Sequence, residues 1–149
     1  MNIFVLDDNP RISAIKLKEL DPLRYRKQIV ELTQILAQRS PVELPKKNGE
    51  VYKINKSIAN HPASIWTDSK KENRQWTIQY LSELIFIYDK EHGCQKALEV
   101  VLNELDGSLT TNISFGWFSK KVEQKELSNN IFEAVEKYIK AKQQGLFKN

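Results

Sequence analysis

The sequence predicts an all-α fold: a compact single-domain bundle of five or six helices with a short extended N-terminal arm. Three observations carry that expectation. A proline directly follows Asn9 and Asp21, and proline at a first helical position gives up only an amide that would have no helical partner anyway. Apolar residues then recur at three- and four-residue spacing through most of the chain. Finally, 149 residues with 40% hydrophobic and 28% charged content can enclose one core without disulfides, and the chain has a single cysteine, Cys94. This composition excludes a disordered tail and a fibre. No apolar run approaches the length of a membrane span, and the apolar start Ile3-Phe4-Val5-Leu6 has no basic leader, so a soluble intracellular protein is expected.

In chain order, residues 2–6 read as a short buried strand or extended arm. Asp8-Asn9-Pro10 opens a first helix to about Leu20. Asp21-Pro22 opens a second to about Arg39, with Tyr25, Ile29, Leu32 and Leu36 as its buried stripe and Ser40-Pro41 as its end. Residues 41–58, with Pro41, Pro45, Asn48-Gly49 and the lysines Lys46, Lys47, Lys53 and Lys56, read as a basic loop. Asn60-His61-Pro62 caps a short helix carrying Ile65 and Trp66. Ser69-Lys70-Lys71-Glu72 has the spacing of a capping box and precedes a long helix. In that helix Trp76, Ile78, Tyr80, Leu81, Leu84, Ile85, Ile87 and Tyr88 cover so wide an arc that it must be central to the core, with Gly93 as its expected stop. A further helix from Gln95 to Leu105 turns Ala97, Leu98, Val101 and Leu102 inward, and Asp106-Gly107 ends it. Residues 108–119, with Phe115, Gly116, Trp117 and Phe118, form an aromatic loop. A last helix from Leu127 to Gln144 buries Ile131, Val135, Tyr138 and Ile139, and Lys137, Lys140 and Lys142 suit its C-terminal end. No repeat and no linker divides residues 1–149.

Twenty-three Lys and Arg against nineteen Asp and Glu leave a charge of +4, a mild bias toward polyanions that many enzymes share. On the second helix, the side opposite the apolar stripe carries Arg24, Lys27, Glu31, Gln34 and Gln38 in one polar line. Leu23 and Val30 flank the line on one side and Ile35 on the other, so neighbouring elements are expected to wall it into a groove; a solvated face is the alternative. Glu31 follows Lys27 by four residues, the weaker order for a helix ion pair. Asn60 and His61 at a helix start could meet a phosphate or base, or could only cap. Phe115, Trp117 and Phe118 near Lys120, Lys121 and Lys125 have the make-up of a base-stacking platform, or of a flap over the core. His92 and Cys94 fall short of the four ligands of structural zinc, and Walker, GxGxxG and GxSxG motifs are absent; neither metal nor cofactor is expected.

The start Met-Asn-Ile-Phe-Val-Leu-Asp, the helix segment Glu31-Leu32-Thr33-Gln34-Ile35-Leu36 and Asn60-His61-Pro62 followed by Trp66 together resemble the small phage and bacterial pyrimidine-dimer DNA glycosylases of the endonuclease V type, over about residues 1–92. The resemblance implies a compact helical domain that binds damaged duplex DNA, kinks it, flips a nucleotide and attacks the sugar C1′ with an amine. A helix-borne glutamate assists, and Glu31 holds the matching position. The family's nucleophile is an N-terminal α-amino group exposed by methionine removal. Asn2 disfavours that processing, so Met1 is expected to stay and to supply the amine. An α-amino group titrates near 8 in peptides, so an appreciable part is neutral near pH 7.

The leading expectation is therefore a DNA-binding base-excision protein in the cytoplasm of a bacterial or phage-infected cell. Its expected phosphate and base contacts are Arg24, Lys27, Gln34, Lys46, Lys47, Lys53, Lys56, Asn60, His61, Lys70, Lys71 and Arg74. The alternative is a non-catalytic phage-type binding protein that sequesters a host factor, nucleotide or nucleic acid. A third is a helical interaction module.

Overall fold

The computed structural model describes residues 1–107, 113–116, 118 and 128–145. Its helices are α1 (Pro10–Leu20), α2 (Pro22–Ala37), α3 (Lys56–Ala59), α4 (Pro62–Ser69), α5 (Lys71–Phe86), α6 (Gln95–Val101) and α7 (Ile131–Gln143), with a 3-10 turn, Leu102–Glu104, after α6. The all-α expectation holds. Among the described residues these seven helices exceed the expected five or six by one, the single turn α3 inside the basic loop. No described helix is long and apolar enough to cross a membrane.

Both proline-marked starts form as the local chemistry requires. Asn9 accepts from the amides of Arg11 and Ile12, and Asp21 accepts from the Arg24 amide while closing α1 through its own N–H to Leu17. A single residue thus ends one helix and begins the next, which makes α1 and α2 a tight corner. α5 packs against α1, α2 and α4, and the buried Trp76, Ile78, Tyr80, Leu81 and Leu84 lie along it, so the wide apolar arc marks the centre of the core as expected.

The arm is buried and has no partner strand among the described residues. Ile3, Phe4, Val5 and Leu6 are all in the core. Val5 N–H turns back onto Ile3 O at 3.0 Å, and other backbone groups are met by side chains: Gln28 donates to Asn2 O at 2.9 Å and accepts from Phe4 N at 2.6 Å. Ser13 Oγ accepts from Leu6 N at 3.0 Å, Tyr80 Oη donates to Phe4 O at 2.7 Å, and Trp76 Nε1 donates to Asp8 O at 2.8 Å. α1, α2 and α5 therefore each supply a polar side chain that stands in for a neighbouring strand.

Four expectations are corrected. α5 ends at Phe86, short of Gly93: Ile87 caps it at φ −90, ψ 3, and Ile87 and Tyr88 reach the core from a non-helical segment. Ser69 forms no capping box, because it lies inside α4 and donates to Trp66 O at 2.7 Å; Lys70 at the α5 N-cap position makes no side-chain cap. α6 stops at Val101 and tightens into the 3-10 turn. α7 begins at Ile131 with Asn130 as its cap, and the expected start at Leu127 lies outside the described residues. The basic loop also has more order than its composition suggested. Pro45 and Val51 form an antiparallel bridge, turned through Gly49 at φ 90, where a side chain would be strained.

Gln28→Leu leaves the Phe4 amide and the Asn2 carbonyl buried without partners. It should destabilise the chain by about 2–6 kcal/mol in urea unfolding, at roughly 1–3 kcal/mol per orphaned group. It should also speed the labelling of the Met1 amine by an acylating reagent, because the arm is released.

Candidate functional site around Glu31 and Met1

The Gln28 clamp fixes where the chain start lies. Glu31 stands one turn further along α2, and its carboxylate lies 3.8 Å from the Met1 nitrogen, with the carboxylate side chain 23% exposed and the N-terminal residue's 14%. The Asn2 backbone N–H also favours the charged form of this carboxylate. Lys27, one turn back on α2, is exposed and adds its charge from the solvent side. Burial pushes the Glu31 carboxyl above the usual glutamate range, and the opposing pulls of the N-terminal charge, the Asn2 N–H and Lys27 do not cancel it. The Nδ2 of Asn2, which is 5% exposed, has no hydrogen-bond partner among the described residues. The arrangement joins an amine and a carboxyl group biased toward holding a proton, both partly reachable from solvent. That is what a nucleophilic amine and its proton acceptor require.

The polar line on α2 divides in the structure. Glu31 and Gln34 are half-buried, Lys27 is exposed, and Arg24 is turned onto the Asp21 carboxylate. Gln38 is buried and leaves the line altogether: its amide donates to Lys53 O at 3.3 Å and accepts from Asn55 N at 2.8 Å. The expected groove walls are corrected as well. Ile35 is buried, but Leu23 and Val30 are exposed, with no element covering that side of α2 among the described residues.

The other expected contacts scatter. Lys46 lies over the Tyr52 ring, 5.4 Å from its centroid, and Lys71 pairs with Asp106 at 2.5 Å. Arg74, 13% exposed, donates to Glu104 at 2.6 and 3.1 Å, to Asp68 at 2.9 Å and to Leu36 O at 3.1 Å, so it ties α5 to α2, to α4 and to the turn after α6. His61 Nδ1 accepts from the Ala63 amide at 3.1 Å and caps α4, and Asn60 ends α3. Lys27, Lys47, Lys53, Lys56 and Lys70 are exposed and form no ion pair among the described residues.

Phe115 and Phe118 belong to the core. Phe115 meets Trp76 edge-on at 4.9 Å and stacks on Trp66 at 5.9 Å, and Phe118 is buried against Trp66. Trp117, Lys120, Lys121 and Lys125 lie outside the described residues. His92 Nδ1 accepts from the Cys94 amide at 3.0 Å, which locks the turn into α6. No group of three or more metal-ligating side chains occurs among the described residues. Comparison with protein-family models, curated proteins and solved structures gave no match. The chemistry of the site therefore rests on its own geometry.

Sequence reading missed Gln28, the glutamine that positions the chain start beside Glu31. Its signal was present: Gln28 falls between Tyr25 and Ile29 on the buried side of α2, where an amide needs partners. Two outcomes follow. The folded state holds the Glu31 proton more tightly than the unfolded chain, so this group favours folding at acid pH, and the benefit is lost as pH rises above the unfolded glutamate range. Glu31→Gln should therefore gain Tm relative to the wild-type chain between about pH 4 and pH 7; a flat difference would mean that the pairing with Met1 offsets the burial. Arg74→Met, by contrast, strands Glu104 and leaves Asp68 with Arg39 alone, and should destabilise by about 3 kcal/mol in urea unfolding. The salt dependence of any nucleic-acid binding should stay unchanged, because this guanidinium is occupied within the fold.

Proposed function

We propose that the chain is a DNA base-excision protein, a glycosylase with lyase chemistry, whose nucleophile is the Met1 α-amine and whose proton acceptor is Glu31. The observation that supports this reading is the 3.8 Å approach of amine and carboxylate, both partly reachable from solvent. The neutral amine attacks C1′ of an extruded nucleotide, the N-glycosidic bond breaks, and the base leaves with the bonding pair and takes up a proton. Loss of the amine's protons, with Glu31 as acceptor, and opening of the sugar ring onto a protonated O4′ give an imine between Met1 and C1′. The nucleotide must leave the stack first, because C1′ is poorly reachable in a paired duplex. The exposed Lys27, Lys47, Lys53, Lys56 and Lys70 supply phosphate contacts, and affinity should fall steeply with salt.

The test is reductive trapping. Full-length protein is incubated with duplexes carrying an abasic site or damaged pyrimidines, sodium borohydride is added, and the adduct is digested and mapped by mass spectrometry. The expected adduct is on Met1. Acetylation of the amine should abolish it, and Glu31→Gln should slow its formation by roughly 10²–10⁴-fold, the range for loss of a positioned acid-base group. An adduct confined to lysine side chains, or formed equally fast by Glu31→Gln, would overturn the mechanism. Salt-sensitive retention on duplex without any adduct would instead favour the non-catalytic binding protein.

A further inference from the structure

The basic loop carries one residue that the site does not use. Ile54 is 75% exposed, among the most exposed large apolar side chains described. It is also held rather than loose. The single amide of buried Gln38 grips the chain on both sides of it, through Lys53 O at 3.3 Å and Asn55 N at 2.8 Å. Asn55 then caps α3 by accepting from Ser57 N at 2.9 Å. The backbone on both sides of Ile54 is bonded to the buried Gln38 amide, while its side chain is left in water beside exposed Lys53 and Lys56. The loop's acidic residues, Glu43 and Glu50, are outnumbered by Lys46, Lys47, Lys53 and Lys56.

Gln38, the C-cap of α2, stands seven residues after Glu31, so the residue that holds this loop lies about two helical turns, roughly 10 Å along the axis, beyond the carboxylate. Aliphatic side chains fixed in this way part adjacent base pairs and kink the helix, and the contacts a bent duplex allows repay the unstacking.

We propose that Ile54 is a wedge that enters the base stack of a duplex seated on α2 and the basic loop, and holds open the gap from which a nucleotide reaches Met1 and Glu31. The inference rests on the excision reading above. Because the side chain is exposed, its truncation leaves the fold intact, which circular dichroism checks.

The experiment uses duplexes with 2-aminopurine beside the damaged nucleotide, whose fluorescence rises on unstacking. Wild-type protein should raise the signal. Ile54→Ala should remove most of the rise and slow imine trapping on paired duplex on the order of tenfold, while duplex Kd changes less than about threefold, because phosphate contacts dominate affinity. Ile54→Leu should restore both. On a single-stranded oligonucleotide with the same damage, Ile54→Ala and wild-type protein should trap alike. If Ile54→Ala raises the fluorescence as fully as wild type, the wedge is overturned and the excision reading stands. If wild-type protein fails to bind duplex even at low salt, both fall together.

Discussion

The arm is buried among helices with no neighbouring strand among the described residues to receive its amides and carbonyls, and that constraint organises this molecule. Val5 N–H and Ile3 N–H are met within the arm, and the other partners come from three separate helices: Ser13 on α1, Gln28 on α2, Trp76 and Tyr80 on α5. Every one of these bonds fixes a particular residue of the arm, so its register cannot slip without leaving several buried groups unpaired. The approach of the Met1 nitrogen to Glu31 follows from that register. The site is a by-product of how the arm is satisfied.

The same economy governs the cations. Arg74 is drawn inward by Asp68 and Glu104, Arg24 by Asp21, and Arg39 by the Ala59 carbonyl and Asp68. The guanidinium groups named here join one element to another, whereas several lysines remain in solvent. This division suits the two side chains, because a planar fork can satisfy several fixed acceptors at once and a flexible ammonium is better hydrated. Lys27 on α2 and Lys47, Lys53 and Lys56 in the loop that Gln38 anchors are among the cations left at the surface.

Much of the helical layout was legible because it depends on neighbours in sequence. Asn9-Pro10 and Asp21-Pro22 set their helix starts locally, and the arc from Trp76 to Ile85 identified the central helix from its own periodicity. What failed depended on distant residues. Ile87 and Tyr88 continue the apolar pattern but pack on the core without being helical, so apolar content ran past the true end of α5. Arg74 read as a surface charge because its acidic partner Glu104 stands thirty residues away. Glu31 was visible as a lone carboxylate on a polar line. The amine beside it was suggested only by resemblance, and the glutamine that delivers the amine passed as an ordinary polar residue of the helix.

The arm also has a consequence for how the chain comes into being. Phe4 is bonded to Tyr80, and Asp8 to Trp76, across 76 and 68 residues respectively. The arm stays without these partners until α5 has been made, and contacts so far apart in sequence form slowly. Until then the apolar side chains of Ile3 to Leu6 lack the core that buries them in the folded chain. The structure closes only when α5 reaches back to the arm.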